Sequence, residues 1–248
     1  MTVDRINVFD LETTGVNPHS DRIVTAYLGQ LDASGQVIQE LHAVVDPMVP
    51  IPDGAARVHG YTTERVAREK TTTPYQLVAW LHEVLTNEAA NGIPLAGYNL
   101  QYDLTMLEAE RARWTPNVAP LTYVDPISAQ NGLVVIDALV LDKAIDPFRR
   151  GSRKLVDTAM HYGVPLAAED AHNARGDAVA SGRIALRQLA SPKLSALSMH
   201  ELHARQRVWK AEQAASLQNY FRTKGGKPNE VVPGEWPVIP TPIERSAS

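Results

Sequence analysis

Apolar residues at the start of the chain gather as Val3, Ile6, Val8 and Phe9 and give way to a polar end at Asp10 and Glu12, the pattern of a buried strand running into a turn at Thr13-Thr14-Gly15. Two further apolar runs, residues 23–31 and 37–45, flank Asp32-Ala33-Ser34-Gly35 and predict a hairpin. Residues 94–99 and 133–136 read as short strands. Helical spacing follows over residues 75–88, 103–114, 154–162 and 173–189. A hairpin followed by β-α units predicts a mixed α/β sheet. Ser191-Pro192 breaks the last of these helices, which divides the chain into a unit of residues 1–190 and an extension of residues 191–248. In the extension, Leu202, Trp209, Leu217, Tyr220 and Phe221 share the apolar face of a helix over residues 198–222. A proline-rich tail follows it. That face either packs back on the first unit or docks a partner.

The chemistry sits at the polar ends of these elements. Asp10 and Glu12, two apart on a strand, project from one face, and burying two carboxylates together is unfavourable unless divalent cations neutralise them. Asp103 falls at a strand-to-helix junction, where an open α/β sheet binds ligands, although an acid there also complements a helix dipole. His172 and Asp177 are five apart and would point about 140° away from each other on one helix. With Asn173 as N-cap and His172 in the preceding loop, both reach one site. Asp137 and Asp142 read as capping or locally hydrogen-bonded acids. The basic run Arg149-Arg150-Gly151-Ser152-Arg153-Lys154 reads as a solvated loop or a phosphate contact. His19, His42, His82, His161, His200 and His203 pair with no acid at a usable spacing, and surface or core roles are expected.

Three segments together, Asp10-Leu11-Glu12-Thr13-Thr14-Gly15, Asn99 to Asp103 with Tyr102 between, and His172 to Asp177, resemble the motifs of the DEDDh-type 3′→5′ exonucleases, the group that includes the proofreading epsilon subunit of bacterial DNA polymerase III. Val58-His59-Gly60-Tyr61-Thr62 is similar to the family's His-Gly-Ile-Thr loop, with Tyr61 in place of Ile. The resemblance covers about residues 5 to 190. It implies a ribonuclease H-like mixed five-stranded sheet flanked by helices, here with a C-terminal helical extension. It also implies two Mg2+ or Mn2+ ions held by Asp10, Glu12, Asp103 and Asp177. Asp10 would bridge both, Glu12 and Asp177 would hold the ion beside the attacking water, and Asp103 would support the second. His172 is the implied general base, and Thr13, Thr14, His59 and Asn99 are implied contacts to the terminal nucleotide.

Composition adjusts this picture at the margins. The chain has 248 residues and no cysteine, so disulfides, thiol nucleophiles and cysteine zinc sites are excluded. A net charge of −4 argues against a broad duplex-binding surface and favours a short single-stranded end in a narrow cleft; the resemblance implies that this is a 3′ end, with DNA placed before RNA. No apolar run approaches the ~20 residues of a membrane span, and a cytoplasmic protein is expected. An exoribonuclease with the same site is the nearest alternative. A noncatalytic nucleic-acid-binding module accessory to a polymerase is the alternative of another class.

Overall fold

Strand β1 (Arg5–Thr13) runs through the middle of the sheet because its apolar residues serve both faces: Ile6 and Val8 face one way, Phe9 and Leu11 the other, and all four are buried. The computed structural model describes residues 3–125, 130–166 and 173–241. β2 (Ile23–Asp32) pairs antiparallel with β1, and β3 (Val37–Val44) with β2, through the turn at Asp32. The predicted hairpin is there. Its outer strand is exposed over most of its length, as an edge strand should be. β4 (Leu95–Gly97) and β5 (Val135–Asp137) add in parallel on the other side of β1, giving the order β3-β2-β1-β4-β5. This is the mixed five-stranded sheet expected.

Between β3 and β4 come α1 (Asp53–His59), α2 (Thr63–Glu69) and α3 (Pro74–Ala90). The first two, of seven residues each, were not evident from periodicity. α1 ends because Gly60 takes φ 78°, a left-handed conformation that favours glycine. α3 starts at a capping box between Thr73 and Gln76. α4 (Leu100–Trp114) begins three residues before its predicted start and packs with α3 on the Phe9 face. α5 (Ala138–Ile145), also unpredicted, α6 (Leu155–His161) and α7 (Ala174–Leu189) follow. α7 covers the Val8 face. It approaches β1 so closely that a Cβ on Gly182 would lie 2.2 Å from Cγ1 of Val8.

α8 (Met199–Thr223) and the tail lie against the rest of the described chain. Leu202 is buried among Ile136, Leu141 and Leu194, and Trp236 of the tail is buried against the Phe9 side. Ile239 N–H donates to Oγ1 of Thr105 at 2.9 Å, tying the tail to α4. Val208, Leu217 and Tyr220 remain exposed. No helix among the described residues is long and apolar enough to cross a membrane.

Candidate active site

Asp10 and Glu12 extend the Ile6–Val8 face of β1 past the apolar core, toward the first turn of α7. That turn carries Asp177. It is set by Asn173, whose side chain caps the helix by accepting from Gly176 N–H at 2.8 Å, as the sequence predicted. Asp10, Glu12 and Asp177 each place a carboxylate oxygen within 4.8 Å of the others, and all three remain partly open to solvent. Asp103 comes from the opposite side, in the first turn of α4, and is buried. Its Oδ1 accepts the N–H of Leu11, the residue between Asp10 and Glu12, at 3.1 Å. One backbone bond thus fixes the fourth acid to the strand that bears the first two. His172 lies outside the described residues.

The electrostatics are those of crowded anions. Burial, then Asp103, Glu12 and Asp177, hold the Asp10 carboxyl well above the usual carboxylate range. Burial, then Asp177 and Asp103, push Glu12 up to about 8. Burial pushes Asp103 up to about 8 against the Leu11 hydrogen bond, with Asp137 adding to the rise. Hard oxygen donors whose charge the fold itself opposes fit divalent cations such as Mg2+ or Mn2+. The acidic cluster suits divalent metal.

The residues expected to meet a nucleotide surround this cluster but differ in freedom. Thr13 donates to the Gly15 carbonyl and shares a 2.7 Å hydrogen bond with the Tyr102 hydroxyl. Thr14 accepts from Arg22 N–H at 3.0 Å, so both hydroxyls are engaged in shaping the turn after β1. His59, at the end of α1, is buried and accepts from Tyr61 N–H at 3.1 Å. Burial lowers its pKa, and the Thr13 backbone, which opposes this, shows that the ring reaches the end of β1. Asn99, half-buried, starts α4 in the left-handed region at φ 60° without capping it through its side chain. Asparagine tolerates that conformation better than most residues.

Asp137 caps α5, accepting from Leu139 and Val140, and so does the local work expected of it. Asp142 is different from expectation in kind: it is fully buried and meets Arg149 at 2.9 Å and Arg153 as well. Two cations of the basic run therefore turn inward, and the run is neither a wholly solvated loop nor free for phosphate at those positions. Of the histidines, His203 is a buried core residue, with Nδ1 accepting from Val135 N–H at 3.0 Å. Tyr98 was passed over in the sequence; its hydroxyl donates to the Arg153 carbonyl at 2.6 Å and ties the β4 end to the basic loop.

The family model described as Exonuclease (RNase_T) matches residues 8–185, a span holding every acid of the cluster. A DNA polymerase III subunit epsilon-like protein of Rhodobacter capsulatus is 27% identical over 194 residues, which cover 77% of this chain and 24% of that protein. Among solved structures, E. coli exonuclease I in complex with a dA16 oligonucleotide superposes with TM-score 0.59 at 21% identity, covering 77% of this chain and 42% of that one. Exonuclease I of Methylocaldum szegediense gives TM-score 0.58 at 21% identity, covering 86% and 46%. The chain thus spans about a quarter of that relative and less than half of those structures. With the family model covering most of its length and the acid motifs meeting at one end of the sheet, the chain belongs to the exonuclease family.

Proposed function

We propose that this protein removes nucleoside 5′-monophosphates from single-stranded or frayed DNA 3′ ends in a metal-dependent reaction. The observation that carries the reading is the meeting of Asp10, Glu12 and Asp177 within 4.8 Å, with Asp103 bonded to the same strand. Two Mg2+ or Mn2+ ions bound by these acids would supply a water of lowered pKa and positive charge at the leaving oxygen. By the family resemblance Asp10 would serve both ions, Glu12 and Asp177 one, and Asp103 the other. His172, one residue before the α7 cap, takes the proton of the attacking water at its imidazole nitrogen. Asn99 and His59 orient the terminal nucleotide, and Thr13 and Thr14 hold the turn it rests on.

DNA is favoured because the solved neighbours include exonuclease I bound to dA16 and to dT13 oligonucleotides. Degradation of 5′-labelled single-stranded DNA and RNA side by side, with Mg2+ and with excess chelator, tests this. A ladder shortening from the 3′ end of DNA and absent under chelator is expected; faster loss of RNA reverses the substrate assignment, and undiminished cleavage under chelator defeats the metal reading. His172→Ala should lower kcat by about 10²–10⁴-fold and remove the acid limb of the pH profile. Parallel loss of metal affinity would make His172 a ligand instead.

A further inference from the structure

The β5 edge of the sheet is closed by side chains in place of a sixth strand. Val135 N–H donates to Nδ1 of His203, the Val135 carbonyl accepts from Nε2 of Gln206 at 2.8 Å, and Asp137 N–H donates to Oε1 of Gln206 at 2.7 Å. The Gln206 amide does for β5 what a peptide group of a neighbouring strand would do. His203, Gln206, Lys210 and Gln213 follow one another at helical spacing, and Gln213 continues the stripe by donating to the Val140 carbonyl at 3.1 Å. His203 and Gln206 are fully buried. A polar stripe thus shares the packing face of this part of α8 with the buried Leu202.

The stripe leads to the active site through Asp137. That side chain is fully buried, and its Oδ1 accepts three N–H groups: Asn99 at 3.0 Å, Leu139 at 3.0 Å and Val140 at 3.4 Å. Burial holds its carboxyl above the usual carboxylate range, and Lys210 is the leading charge that opposes this. Asn99 opens α4 in the left-handed region at φ 60°, and Asp103 stands four residues further on. We infer that Asp137 is a positioning residue for the carboxylate cluster, and that Gln206, by gripping the Asp137 backbone, makes the C-terminal helix part of the catalytic frame. Loosening either bond lets the start of α4 drift, and a misplacement of about 1 Å costs on the order of 10²-fold in rate.

This rests on the exonuclease reading for its kinetic arm only. In the full-length protein with Mg2+ and a labelled single-stranded DNA oligonucleotide, Asp137→Ala should lower kcat by about 10–100-fold while KM changes by less than about 3-fold. Asp137→Asn, which keeps the acceptor oxygen, should restore the rate. Gln206→Leu should lower kcat by about 3–10-fold, whereas Gln213→Leu, on the same helix but bonded to α5, should lower only the melting temperature. Amide exchange at Asn99, read by NMR without metal, should quicken in Asp137→Ala and Gln206→Leu and not in Gln213→Leu. If Asp137→Ala does not fold, the two glutamine variants decide. Equal effects of the two glutamine changes, an unaltered Asn99 amide, or an Asp137→Asn as slow as Asp137→Ala overturns the inference. A parent protein inert on every oligonucleotide would defeat the exonuclease reading, and the exchange data would still judge the brace.

Discussion

A single buried acid and a partly open cluster of acids lie on the α7 side of this sheet, and they are built on opposite principles. Asp142 is sealed from water and answered from within, by Arg149 at 2.9 Å and by Arg153. Asp10, Glu12 and Asp177 are crowded together, partly open, and dominated by burial and mutual repulsion. The crowding of Asp10 and Glu12 at the end of β1, where burial and neighbouring acids hold both carboxyls above their usual range, suits a place that takes up divalent cations. The first arrangement holds the protein together. The second holds it ready.

The sharpest way to break this comparison is to neutralise one acid on each side. Asp10→Asn should reduce exonuclease activity by about 10³-fold or more, because the acids act as a unit, yet raise the melting temperature of the metal-free protein near pH 8 by removing a repelling charge. Thermal unfolding and a labelled-oligonucleotide assay on one preparation check both signs. A smaller and opposite pattern is expected at the internal pair: Arg149→Ala should destabilise the protein by about 3 kcal/mol, the low end for breaking a buried pair because Arg153 remains, and leave kcat nearly unchanged well below the melting temperature. Denaturant titration measures it.

The smallest effect is in pH. Glu12 and Asp103 titrate near 8 in the folded, metal-free protein, far above the ordinary range of about 4 expected when unfolded. Between those values the folded state holds more protons, so metal-free stability should fall as pH rises from 5 to 8. An ion held by the ionised acids, Mg2+ or Mn2+ in the proposed reading, should raise the melting temperature more at pH 8 than at pH 5. Melting curves that are flat with pH, or equal ion effects at both values, would remove the repulsion from the account.

What could be read in advance followed from periodicity. The hairpin, β1 and the helices carrying Asp103 and Asp177 announce themselves through apolar spacing, and the Asn173 cap through its own side chain. α1 and α2 did not, because seven residues give too few turns for a stripe. α5 was hidden behind the apolar run that precedes it. The destination of Arg149 and Arg153 depends on Asp142, several residues upstream, and a local reading of a basic run cannot contain it. α8 was legible only in part: Leu202 is buried and Trp209 packs on the core as its apolar spacing predicted, whereas Leu217 is exposed and polar His203 and Gln206 are buried on a strand edge. Hydrophobic patterning finds partners that are surfaces; it is blind to a partner that is a row of peptide groups.

The glycine at position 182 bears on ion size. α7 rests on Val8 with no side chain between, and the same helix carries Asp177 five residues earlier while the same strand carries Asp10 two residues later. The bore of the carboxylate cluster is therefore set by how near a helix backbone can come to a valine in the core. Ions with bonds of about 2.0–2.1 Å suit a tighter bore than those with bonds of about 2.3–2.6 Å. The spacing of the carboxylates, and with it the ion size they would suit, is thus tied to an apolar contact inside the core.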